Sequence, residues 1–388
     1  MKKLLLIKLL EKYNPGLIAV FGIHGREEAR AATYAAINAH TKIFSSSVGD
    51  FFDDLYLELG GFGGILKALV LKNSFPSICV ISVSSPSNVP YQYIKSILGL
   101  DLAIVMPSGD IPSFTDVFAG PDYGVKTIMR EASIADEAIV VMDDETLREH
   151  ASEANAKVNF IGFDKNADLF IESTKEMLKI RDNVSGGTHL KIEHSGSLIP
   201  LTLNSVYGKK NIYAVCCALG AARYYNINLI NAAQNLKEYT PPIGSLRLFS
   251  GVKNSALITS YFEATPFSSR EAIELAGKMH SSGMARRVIV ALGDILPNEE
   301  AESEGLHRTL GELVAHSAHK LFLVGERVLF TAEEAQKHGM LKSDIHQYSS
   351  AEEAARNIQE ELSEKDLVLI IGSEDTGIGL VLEELKNI

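Results

Sequence analysis

The residues best placed to do chemistry stand together at one turn, Val20-Phe21-Gly22-Ile23-His24-Gly25-Arg26-Glu27-Glu28-Ala29. An apolar run, two glycines and an alanine-rich stretch outline a loop whose backbone N–H groups and helix end face phosphates. Such a loop normally adds a lysine for the phosphates and a hydroxyl for a metal ion. Here Arg26 takes the lysine position, and Glu27 and Glu28 take the hydroxyl positions. Two carboxylates in a first helical turn repel a triphosphate. They also suit a plain helix start, each stabilising it by about 0.3–1 kcal/mol against the dipole. The segment therefore reads first as an ordinary strand-to-helix turn and second as a phosphate loop. Carboxylates inside the loop mouth exclude a nucleotide; carboxylates turned away, with Arg26 reaching in, admit one.

Two further turns end apolar runs in the second half. Gly293-Asp294, with His307 on the next helix, lies at a strand end of the kind where open α/β sheets bind ligands; the Asp equally suits a cap. Gly372-Ser373-Glu374-Asp375-Thr376-Gly377 follows the last strand, and its two acids favour a capped turn over an anion nest. His316 and His319, at i and i+3, read as surface residues on one helix face, since no Cys or carboxylate completes a ligand spacing. No metal site is expected.

The elements that must position these turns alternate short β-branched runs with longer helical stretches, which implies parallel sheets and an α/β class. Strands are expected at 17–21, 77–83, 102–106, 138–142 and 159–162, then at 255–259, 287–292, 320–324 and 367–371. Between His189 and Leu203 the text alternates as a hairpin turning at Ser195-Gly196. A small-residue helix follows over about 212–225, and another ends near Tyr239. Thr240-Pro241-Pro242-Ile243-Gly244 is the strongest hinge signal. The reading is an amphipathic helix over 1–15, a central domain over 16–240 and a Rossmann-type domain over 241–388, with a cleft between the domains as the default ligand site.

Composition narrows the function classes. The 388 residues are 46% apolar and 22% charged, with a net charge of −12, so disorder is excluded as the main state. No domain-wide basic footprint for nucleic acid appears, and an acidic chain gains nothing electrostatically from an anionic membrane surface. Met1–Ile7 resembles the start of a signal peptide, but Lys8, Glu11 and Lys12 interrupt it and no cleavage site follows. No apolar run is long enough for a membrane span. Cys79, Cys216 and Cys217 form neither a disulfide framework nor a zinc spacing. A cytoplasmic protein without membrane insertion is expected.

These segments in this order resemble the Mur ligases, and among them the branch that adds D-alanyl-D-alanine to a UDP-muramoyl tripeptide. The resemblance runs from about Glu11 to the end. It rests most on YTPPIGSLRLFSG, YFEATPFSS, ALGDILPNEEAESEGLH and the last-strand IIGS. It implies a P-loop-like central ATPase domain, a C-terminal Rossmann-like domain, and absence of the N-terminal domain that grips the UDP portion. The family loop reads GxxGK followed by two hydroxyl residues, which this chain replaces with Arg26, Glu27 and Glu28. The family's magnesium-binding Glu corresponds to Ser82, a metal-serving His to Phe114, and the carbamylated Lys to Ile128, with Lys126 two residues away. Of a His-Asn pair near adenine, Lys210-Asn211 keeps only the Asn. In the second domain the hinge Arg becomes Ser245, with Arg247 near. The acids and Asn of Asp-Asp-x-Tyr-Asn-x-x-Pro are lost, leaving Ser260 and Glu263 in that segment, and the Lys of KGS becomes Ile371. Pro266, Ser268, Gly293, Asp294, His307, Gly372 and Ser373 remain.

Ligation through an acyl phosphate needs magnesium and cations around the transferring phosphoryl group. The resemblance therefore implies a scaffold without the residues for that chemistry: a pseudoenzyme binding an unknown protein partner or a cell-wall precursor, with no cofactor. The alternative is an ATP- and Mg2+-dependent amide ligase in which Arg26, Lys126, Lys210 and Asp294 take over. A nucleotide, should one bind, is left with Gly22, Gly25, Arg26, Asn211 and Asp294. A different enzyme working without ATP is a third reading.

Overall fold

Continuous apolar runs bury on both faces and become the central strands of two sheets, while runs with polar residues end up at sheet margins. The computed structural model describes residues 2–22, 24–107, 122–151, 155–180, 183–262, 264–295 and 300–387. Contacts divide the chain into two units, one of residues 1–174, 190–202 and 209–240, the other of 175–189, 203–208 and 241–388.

In the first unit, α1 (Lys2–Tyr13) precedes β1 (Gly16–Phe21) and α2 (Arg26–Asn38). Then come β2 (Ile43–Ser47), α3 (Phe51–Glu58), α4 (Gly61–Val70), β3 (Ile78–Val83) and α5 (Val89–Leu98). Next are β4 (Leu102–Val105), α6 (Asp122–Ala132), β5 (Glu137–Val141), α7 (Glu145–Ala151) and β6 (Lys157–Gly162). β7 (Leu169–Ile180), β8 (Val184–His194) and β9 (Ser197–Asn204) extend the sheet, with residues 175–189 and 203–204 counted in the second unit, and α8 (Lys209–Tyr224) and α9 (Leu229–Asn235) follow. The nine-stranded order is β2-β3-β1-β4-β5-β6-β7-β8-β9, parallel from β2 through β7. Val20 pairs with Ser82 and Phe21 with Val105, which sets the phosphate-loop turn at the carboxyl ends of the parallel strands.

Several elements were not expected. β2 (IFSSS) carries three serines at a sheet edge, so it lacks an apolar run. β7 carries five consecutive polar or charged residues, Glu172 to Glu176, between its apolar ends, and β8 begins five residues before His189. The β8–β9 turn has Ser195 and Gly196 both at positive φ (51° and 76°), the primed geometry that matches strand twist. Leu6, Leu9 and Leu10 of α1 are fully buried in the core of this unit with Phe51, Leu55 and Ile94.

The second unit carries β10 (Arg247–Gly251), β11 (Ser255–Ser260), α10 (Pro266–Ser281), β12 (Arg287–Gly293) and α11 (Glu300–Ser317). β13 (Lys320–Val324), α12 (Leu329–Lys337), β14 (Ile345–Tyr348), α13 (Ala351–Glu361), β15 (Asp366–Ile371) and α14 (Leu380–Leu385) complete it. The order is β10-β11-β15-β12-β13-β14, parallel except for the β10–β11 pair. Both margins were missed by sequence, β10 and β14 with its half-polar text IHQY, whereas β11, the antiparallel partner of β10, falls on the strand expected at 255–259.

Candidate phosphate-loop site

Gly22 leaves β1, and Gly25 stands at the cap position of α2 in the left-handed region (φ 81°), with no side chain capping the helix. A Cβ on Gly25 would lie 2.7 Å from Met106 Cε and 2.9 Å from Lys210 Cγ, so only glycine lets those side chains close over the turn. Ile23, between them, lies outside the described residues.

Neither glutamate lines an open mouth. Glu27 turns to Arg30, with both Nε and Nη2 donating to one carboxylate oxygen at 3.0 and 2.8 Å, and Arg30 also reaches Ser45. Glu28 is fully buried, and its Oε1 lies 2.6 Å from Lys210 Nζ, whose side chain is 11% exposed. Arg26 folds back along its own loop, with Nη1 3.5 Å from the Gly22 carbonyl oxygen. Next to Lys210, Asn211 is buried and accepts from Tyr239 Oη at 2.7 Å. Burial, together with Lys210 and Arg26 nearby, pushes the His24 pKa down to about 4, so this imidazole is neutral at pH 7. Burial, and then the Glu28 charge, hold the Tyr239 phenol far above its ordinary range. The turn is thus backed by a desolvated carboxylate–ammonium pair, with Lys210 and Asn211 both committed to protein partners.

The other candidate positions are divided between core and backbone support. Ser82 is buried in β3, and its hydroxyl has no hydrogen-bond partner among the described residues. Ile128 packs into the core of the first unit, while Lys126 is exposed. Ser260 donates to the Ser268 carbonyl at 3.4 Å, and Ile371 is fully buried in β15. Phe114 and Glu263 lie outside the described residues. Pro266 and Ser268 start α10, where Thr265 and Ser268 form a reciprocal capping box. Ser245 is buried at a turn, and Arg247 stacks over Phe249.

Asp294 accepts from the N–H groups of Glu326 and Val328 at 3.2 and 2.9 Å, just before α12. It therefore caps the approach to α12 and not the helix that follows it in sequence. His307 is fully buried; its Nε2 accepts from Ile295 N–H at 3.3 Å, which leaves Nδ1–H to donate to Thr331 Oγ1 at 2.9 Å. Thr376 donates twice to the Ser373 carbonyl, and Gly377 is left-handed, so the last turn is capped. His319 lies past the end of α11 and accepts from Val288 N–H. The shared helix face expected for His316 and His319 is therefore not formed. Among the described residues no group of three His, Cys, Asp or Glu side chains could hold a metal. Asp294→Ala is expected to cost about 1–2 kcal/mol through the lost charged hydrogen bonds, read as an earlier urea midpoint of the second unit.

Residues 249–374 match the family model described as Mur ligase, glutamate ligase domain. The UDP-N-acetylmuramoyl-tripeptide–D-alanyl-D-alanine ligase of Bacillus subtilis (strain 168) is 22% identical over 386 residues, which are 97% of this chain and 76% of that protein. The chain resembles the Mur ligases along nearly its whole length. Two solved structures share the Mur ligase fold with it. The MurF ligase from Thermotoga maritima in complex with ADP has a TM-score of 0.72 at 14% identity, covering 97% of this chain and 81% of that one. MurF from Acinetobacter baumannii has a TM-score of 0.74 at 16% identity, covering 97% and 78%.

Proposed function

We propose that this Mur-ligase-like chain works by binding and not by ligation: a pseudoenzyme that presents the two-unit scaffold to a protein partner or a cell-wall precursor. The observation that carries the reading is the buried Glu28–Lys210 pair beneath the loop. Phosphoryl-transfer catalysis consists almost wholly of positioning and of cations aimed at developing negative charge. Here Lys210, which packs against the turn, is neutralised by the chain's own carboxylate. The ligase alternative asks Arg26, Lys126, Lys210 and Asp294 to supply that chemistry, yet Lys210 is held by Glu28 and Asp294 by two backbone N–H groups. Both carboxylates are turned away from the loop mouth, but Arg26 folds back instead of reaching in. A nucleotide drawing on Lys210 would have to break the pair and leave Glu28 buried without its cation.

The test is isothermal titration of the whole chain with ATP and with a non-hydrolysable analogue, both with magnesium, beside a thermal-shift series. The expected result is no heat and no shift at millimolar nucleotide. Magnesium-dependent binding overturns the reading and revives the ATP-dependent ligase, to be followed by a product assay with muramoyl peptides.

A further inference from the structure

Helix α4 has two apolar faces. Ile65 and Ala68 are buried against the first unit, whereas Phe62, Leu66, Leu69 and Val70 form a second stripe at i, i+4, i+7 and i+8 that faces outward. Phe62 is 47% exposed, Leu66 50% and Val70 81%, and the exposed Leu71 continues the stripe. The corner from α3 into α4 is built to hold this face out. Gly60 and Gly61 are both left-handed, and a Cβ on Gly64 would lie 1.5 Å from the Leu59 carbonyl oxygen. Helix α1 fixes the other end, where Lys12 Nζ donates to the Leu69 carbonyl at 2.7 Å and Tyr13 Oη donates to that of Ala68.

The charges around the stripe run against those of the chain. A cavity of about 590 Å³ beside it is lined by Lys42, Lys67 and Lys72 together with Val70 and Leu71, with Glu58 as its acid. Lys12 borders the stripe at Leu69, and Lys8 stands one turn earlier on α1, followed by Glu11. Five lysines against two glutamates are thus gathered here, in a protein whose net charge is −12.

We infer that α4 and its lysine border dock on the surface of an anionic phospholipid bilayer. An apolar stripe flanked by lysines is the pattern that inserts side chains at the headgroup boundary while cations meet lipid phosphates. The three-lysine cavity is sized for a phosphate-bearing headgroup. A second copy of the chain fits less well, because a symmetric contact would bring the same positive borders together. Nothing here requires a span, and among the described residues no helix is long and apolar enough to cross a membrane. The whole-chain charge averages this local surplus away. The inference is independent of the phosphate loop and stands or falls without it.

The experiment is co-sedimentation of the full chain with vesicles of phosphatidylglycerol in phosphatidylcholine, against pure phosphatidylcholine, at low and high salt. The expected result is binding to the anionic vesicles that weakens with salt. Removing both Lys67 and Lys72 as alanines should lower partitioning by about fivefold per lysine, about twenty-five-fold for the pair. Leu66→Asp/Val70→Asp should abolish it with an unchanged melting temperature, since both side chains are exposed. Undiminished binding by either double variant overturns the inference. So does failure to bind the anionic vesicles, whether the chain is then a monomer or a dimer, by light scattering, that Leu66→Asp/Val70→Asp dissociates.

Discussion

Lys210→Ala is expected to destabilise the first unit by about 3–5 kcal/mol, the range for removing one partner of a buried ion pair. Glu28 is fully buried, and Lys210 supplies the cation 2.6 Å from its Oε1. Truncating the lysine also removes the methylene stem that packs over Gly25. The effect should be local before it is global. Amides of α2 and α8, the helices that carry the two residues, should lose roughly two to four powers of ten of hydrogen-exchange protection, while β12 and β15 should keep theirs. Glu28→Leu/Lys210→Met should recover most of the loss, because neutral side chains of similar volume remove the desolvation problem along with the pair. The sign also bears on function. A lysine held ready for a phosphate is usually a stability burden, and removing it is neutral or stabilising. A neutral or stabilising Lys210→Ala would therefore overturn the reading that the pair is an internal substitute for ligand charge.

That pair shows where sequence reading stops. Glu28 is legible as an acid in a first helical turn, and Lys210 as a cation at the start of a small-residue helix. In the sequence Glu28 reads first as an ordinary helix-start acid and second as a charge that repels a triphosphate, and Lys210 has a part only in the ligase alternative. Nothing in either segment says that α8 brings Lys210 down onto Glu28, because the contact spans the whole run from α2 to α8 and is made only when both helices pack together. The strands were easier. β1, β3, β4, β12 and β15 carry apolar runs that are buried, so their text announces them. β2 has only two apolar residues before its serines, β14 is half-polar and only partly buried at its margin, and β7 is polar through its middle. For Asp294 the sequence offered a ligand or a cap. The cap it makes is for α12, reached only when β12 and β13 lie side by side.

Acid should unfold the second unit through His307, which is legible as a histidine on the helix after β12 but whose protonation state only the fold determines. Burial is the main cause that lowers its pKa from 6.5 to about 4, with the nearby Asp294 charge opposing it and Arg327 adding to it. In the folded state the ring is neutral, with Nδ1–H directed to Thr331 and Nε2 accepting from Ile295. Protonation would place a second N–H against that backbone donor. The unfolded chain binds a proton at the ordinary 6.5 and the folded one near 4, so between those values the unfolded state holds more protons and stability falls with falling pH. The contribution is fully present above pH 6.5 and fully lost below about pH 4. At pH 5 the expected loss is about 2 kcal/mol, from roughly 1.4 kcal/mol per pH unit. The measurement is the urea midpoint of the second unit at pH 7.5 and pH 5, for the parent and for His307→Asn. The variant loses stability at both pH values but keeps no proton linkage at this site, so its drop between them should be smaller by about that 2 kcal/mol. Equal drops would mean that His307 titrates normally in the folded chain and that its buried network is not the one described.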